Sequence, residues 1–91
     1  MLIIESTKKV TAGTKAVEVE AHCRPFLMVN TSASATVYFK EAAEDGKVAT
    51  ADNSFALLPG QTLRVPLTAR KLSILSTEAN TDVRLLFGSE G

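Results

Sequence analysis

Several short runs place an apolar residue at every second position. In Val17-Glu18-Val19-Glu20 the valines fall on one side of an extended chain and the glutamates on the other. Ala35, Val37 and Phe39 alternate with Thr36 and Tyr38, and Leu63, Val65 and Leu67 alternate with Thr62, Arg64 and Pro66. Val83, Leu85 and Phe87 line up in the same way near the C-terminus. A period of two is the mark of a half-buried strand, because successive side chains of extended backbone point to opposite faces. Residues 25–30 and 71–75 are shorter and greasier, as strands covered on both faces are. Residues 2–10 form a strand of weaker pattern, and residues 54–58 supply one more.

Turn chemistry separates these runs. Ala12-Gly13-Thr14, the small polar stretch 30–34, Asp45-Gly46 and residues 78–82 each interrupt the alternation. The longest irregular region spans residues 40–54, and its Glu41 to Gly46 portion has room for no more than one helical turn. Leu58-Pro59-Gly60-Gln61 reads as a type II turn: Pro59 presets φ at the second position and Gly60 supplies the positive φ of the third. Pro66 has no amide hydrogen, so its strand belongs at a sheet edge or carries a bulge. About seven or eight strands at regular spacing, with no convincing helix, predict an all-β fold. The expected architecture is a small two-sheet antiparallel β-sandwich, jelly-roll or immunoglobulin-like, formed by residues 1–91 as a single domain. Its expected inward faces carry Val17, Val19, Phe26, Met28, Val37, Phe39 and Leu57 from the first half of the chain. Leu63, Val65, Leu67, Leu72, Ile74, Val83, Leu85 and Phe87 follow from the second.

Composition narrows the functional classes. The 91 residues are 45% apolar and 22% charged, which argues for a packed domain rather than a disordered one. Ten basic and ten acidic side chains cancel, and Lys8-Lys9 and Arg70-Lys71 are the only adjacent basic pairs. A nucleic-acid binder needs clustered cations to displace phosphate counterions, so that class is not expected. No apolar run reaches the length of a membrane helix. The greasy N-terminal stretch, three residues after Met1, is too short for a signal-peptide core, so a cytoplasm is the expected place of synthesis. Cys23 is the single cysteine and cannot form an internal disulfide.

Candidate chemistry is thin. His22 and Cys23 are neighbours, and consecutive strand residues diverge to opposite faces, which separates a would-be nucleophile from its base. One His and one Cys do not match zinc spacing, a cupin-like metal site needs several histidines, and Glu41, Glu44 and Asp45 do not follow a calcium-loop pattern. Asn30-Thr31-Ser32 matches the glycosylation sequon, which is used only in secreted chains. No catalytic residue, metal ligand, cofactor site or cofactor is expected. What remains is surface. Leu27, Val29, Leu75 and Leu86 are apolar on the faces opposite the expected core, where solvated residues belong. Tyr38 is the one aromatic expected to point outward, and Pro66 marks an edge strand. These six residues are the candidate interface. The alternative is a small ligand- or carbohydrate-binding module with residues 40–54 as its lid, although five aromatics without Trp equip it poorly.

One combination of these motifs has a likeness. Residues 29–39 (VNTSASATVYF), 54–67 (SFALLPGQTLRVPL), 71–75 (KLSIL) and 80–87 (NTDVRLLF) together resemble small β-sandwich virion accessory proteins of tailed bacteriophages and prophages, the proteins that decorate heads or join head and tail assemblies. The likeness spans about two-thirds of the chain, residues 26 to 88, and its motifs are structural, so no functional residue carries over. It implies a non-enzymatic structural protein that self-associates into a homo-oligomer or docks on phage capsid or tail proteins. Such a protein is made in the bacterial cytoplasm and ends in the virion.

Overall fold

A computed structural model describes residues 2–20, 26–42, 47–65 and 71–90. Among them are eight strands: β1 (Leu2–Ala12), β2 (Val17–Glu20), β3 (Phe26–Asn30), β4 (Val37–Glu41), β5 (Phe55–Leu57), β6 (Thr62–Val65), β7 (Lys71–Ser76) and β8 (Thr81–Glu90). They form two four-stranded sheets, ordered β1-β8-β3-β6 and β2-β7-β4-β5, and every pairing is antiparallel. The order has a simple origin. The pairs β1:β8, β2:β7, β3:β6 and β4:β5 are those of one long hairpin whose apex is the segment between β4 and β5. Rolling that hairpin up adds the remaining contacts, β3:β8 and β4:β7. This is the jelly-roll arrangement, and it settles the choice between the two sandwich topologies that the sequence leaves open.

Alternation decides which side chains meet between the sheets. From one sheet come Val10, Ala12, Met28, Val83, Leu85 and Phe87, with Leu63 of β6 partly buried against them, and from the other Val19, Val37, Phe39, Leu57, Leu72 and Ile74. Val17 departs from expectation. Its register partner is Ile74, so it lies on the inward side, yet it is 37% exposed because β2 is the outermost strand of its sheet. The side chains of Phe26 and Val65, and all of Leu67, lie outside the described residues. β7 sits between β2 and β4 and is covered on both faces at Leu72, Ser73 and Ile74, as its greasy sequence predicts.

The Pro-Gly turn forms as its chemistry requires. Gly60 has φ +74°, and the Gln61 amide donates to the Leu58 carbonyl at 3.0 Å. The side chain of Gln61 closes the turn further by accepting from the Leu58 amide at 2.8 Å. Among the described residues Asn80 takes the one other positive φ, 57°, in the β7–β8 connection, a conformation that Asn tolerates better than branched residues. Beneath that connection the Ser76 and Thr81 hydroxyls are 2.6 Å apart and both buried.

The turn docks on Asn30, the last residue of β3. Asn30 is fully buried, and both its backbone groups bond the Pro-Gly turn: its amide donates to the Gln61 carbonyl and its carbonyl accepts from the Gly60 amide, each at 3.0 Å. Its side chain reaches the other sheet. Nδ2 donates to the carbonyls of Ala35 at 2.7 Å and Leu57 at 3.1 Å, while Oδ1 accepts from the Ser32 amide at 3.0 Å. One amide side chain thus pins the β3–β4 connection, β5 and the end of β3 together, and no described buried side-chain nitrogen or oxygen is left without a partner. Asn30→Ala would strand two carbonyls and one amide. At about 1 kcal/mol for each lost bond, it should lower stability by about 3 kcal/mol and the melting temperature by about 15 °C. Thermal unfolding followed by circular dichroism checks this, and a shift of only about 3 °C would contradict it.

Candidate functional site

The pairing register maps the outer face of the β1-β8-β3-β6 sheet row by row. One row runs Thr7, Leu86, Leu27, Arg64, and the next runs Lys9, Arg84, Val29, Thr62. Leu86 and Leu27 stand directly opposite each other on the two central strands, with Val29 one row away. All three are half-buried. They form a short apolar strip bordered by Lys9, Arg84 and Arg64, with the Ile4–Gly88 row beyond it on one side and the Thr11–Asp82 row on the other.

Asp82 and Arg84 lie two apart on β8, hence on the same face, and their side chains pair. The guanidinium Nε donates to Asp82 Oδ1 at 3.0 Å and Nη2 donates to Oδ2 at 3.0 Å. That fork geometry suits a planar carboxylate. Hydrogen bonding from Arg84 holds the Asp82 carboxyl below the usual aspartate range, and the same contact raises Arg84. The pair orders the rim of the strip and neutralises its own charge there.

The remaining candidates lie elsewhere. Tyr38 and Leu75 face each other across β4 and β7 on the outer side of the other sheet, both half-buried. The five described candidate residues therefore divide between two opposite faces of the sandwich and make no single surface. Pro66 lies outside the described residues, although β6, which leads into it, is the outermost strand of its sheet as expected. His22, Cys23, Glu44 and Asp45 also fall outside them.

The face carrying Tyr38 and Leu75 is partly roofed by the chain itself. The Ala49 amide donates to Ser73 Oγ at 2.9 Å, and Ser73, an outward residue of β7, is only 1% exposed. Asn53 builds the adjoining turn: its Oδ1 accepts from the Thr50 amide at 2.8 Å and its Nδ2 donates to the Val48 carbonyl at 3.1 Å. Sequence reasoning placed an irregular loop here without its docking point. The available signal was Ser73, the one polar residue inside the otherwise greasy KLSIL run.

An open depression of about 210 Å³ lies along β2, lined by Glu18, Val19, Glu20 and Lys71. Its described lining offers two carboxylates and one ammonium. Among the described residues no group of three His, Cys, Asp or Glu side chains converges to hold a metal, and no helix is long and apolar enough to cross a membrane. Comparison with protein-family models, with curated proteins and with solved structures finds no match to this chain.

The Asp82–Arg84 pair generates a titration prediction. A carboxyl whose folded value is lowered stabilises the fold above its ordinary range and loses that contribution as pH falls through the lowered value. Carboxyl-detected NMR should show Asp82 titrating below the usual aspartate range, and returning toward it in Arg84→Gln. Equal titration in both proteins would contradict the pairing.

Proposed function

We propose that this chain is a non-enzymatic structural protein of the phage virion type, which associates with copies of itself or docks on capsid or tail proteins through the outer face of the β1-β8-β3-β6 sheet. The observation that carries the reading is the strip of Leu27, Val29 and Leu86 on the central strands of that face. Contiguous apolar side chains on a face that water should cover are what docking surfaces present. The opposite face favours this choice by contrast, because residue 49 already lies over Ser73 there. The jelly-roll order supports the reading by analogy, as the fold recurs in viral capsid domains, and the motif likeness to phage accessory proteins points the same way. The protein acts by shape and adhesion: the leucines supply buried apolar area, while the charge of Lys9 helps set orientation at the rim.

Sedimentation velocity tests the proposal. The wild-type protein should be oligomeric at micromolar concentration. Leu27→Ser with Leu86→Ser should weaken association at least about thirtyfold, the equivalent of losing about 2 kcal/mol of apolar burial. The variant should keep its circular dichroism spectrum, since both side chains lie outside the core. A wild-type protein that stays monomeric at about 1 mM, a concentration at which weak interfaces are filled, would contradict self-association. Capsid, portal or tail genes beside this one are the expected genomic setting for the virion role.

A further inference from the structure

Among the described residues the two sheets end on four strands, and these are unequal. β2, β5 and β6 have four, three and four residues, whereas β1 has eleven. A strand that ends a sheet offers its outward amides and carbonyls to any other extended chain, and length makes the offer stronger. Over the described residues three of the four are short, and β6 leads directly into Pro66, which has no amide hydrogen to give.

β1 is long, yet it carries other obstacles. The register slips between Ile4 and Ser6: β1 advances two residues while β8 advances one, from Gly88 to Phe87. Such a bulge twists the strand away from a flat partner. Two lysines follow, and their placement differs. Lys9 stands opposite Arg84 on the outer face, while Lys8 stands opposite Leu85 on the inner one. The inner row reads Lys8, Leu85, Met28, Leu63, and its two middle members are completely buried. Alternation thus assigns Lys8 a core-facing position, but at the end of the sheet its side chain is exposed. Extending the sheet by another strand would enclose the Lys8 ammonium beside Leu85, at the desolvation cost of a buried charge.

We infer that the bulge, Lys8 and Lys9 close β1 to strand pairing, so that the one long outer strand is not where a partner extends the sheet. The inference stands on β1 alone and does not depend on which face is used or on a virion role. The test removes the guard. Lys8→Val with Lys9→Thr supplies strand-forming residues and deletes both charges. A second variant, Lys8→Glu with Lys9→Glu, keeps charge at both positions with reversed sign. Hydrogen exchange of β1 amides, followed by NMR from about 10 to about 500 µM, reads pairing at the strand itself, over the concentration range in which open edges associate. In the Val/Thr variant the β1 amides should gain about tenfold protection or more as concentration rises, whereas the wild type and the Glu/Glu variant should show none. Melting curves establish that each variant is folded, and Lys8→Thr alone replaces the double variant if that one is not. The inference is overturned if the uncharged variant matches the wild type, if the Glu/Glu variant pairs as readily as the uncharged one, or if wild-type β1 already becomes protected with concentration.

Discussion

The hydrogen bonds of Asn30 are the constraint on which this sandwich turns. A rolled hairpin needs its two sheets held in one relative position at the point where the chain passes between them, and apolar packing alone does not choose among nearly equivalent slides of one sheet over the other. Asn30 ends β3 in one sheet, yet its Nδ2 bonds the Leu57 carbonyl of the other. Its backbone meanwhile grips the Pro-Gly turn that carries the chain from β5 back to β6. A buried amide whose donors and acceptors are all used tolerates only the geometry that uses them, since each unmade bond carries the full desolvation penalty. The same burial removes Asn30-Thr31-Ser32 from glycosylation chemistry in the folded protein: both hydrogens of Nδ2 are engaged, and the side chain has no exposed surface.

Much of the fold was legible because alternation reports local facts. Seven strands stand where period two or continuous greasiness places them, β1 extends the weaker pattern of residues 2–10 to Ala12, and the Leu58–Gln61 turn has the positive φ at Gly60 that its composition demands. Pairing is not local. A run such as Val37 to Phe39 states that one face is covered without stating by what, so the sequence could not separate jelly-roll from immunoglobulin-like order. Val17 shows the same limit at smaller scale: its parity is inward, but exposure depends on standing at the end of the sheet. Asn30 looked like an ordinary turn residue because the partner that explains it, Leu57, is 27 positions away.

The candidate surface was half legible for a related reason. Out-of-pattern leucines and valines can be picked out from the sequence, and Leu27, Val29 and Leu86 do come together once β3 and β8 are paired. Tyr38 and Leu75 carry the same signature and meet each other, but on the opposite face, beside a position that residue 49 covers. Only topology divides the one group from the other. It also reverses the meaning of Lys8-Lys9: an unremarkable basic pair in the sequence becomes, on the one long outer strand, a deterrent to pairing. The resulting picture has one face partly covered by the chain itself, a long outer strand carrying Lys8 and Lys9, and an apolar strip on the opposite face.

The most direct test of the account is hydrogen exchange at the Asn30 side chain. If this amide joins the sheets, its Nδ2 protons should exchange as slowly as the backbone amides of Val83 and Leu85 in central β8, opening only with global unfolding. The side chain of Asn53, on the exposed connection between β4 and β5, provides the fast reference within the same molecule. Asn30 protons that exchange at the Asn53 rate would contradict the account, because the two sheets would then be held together without it.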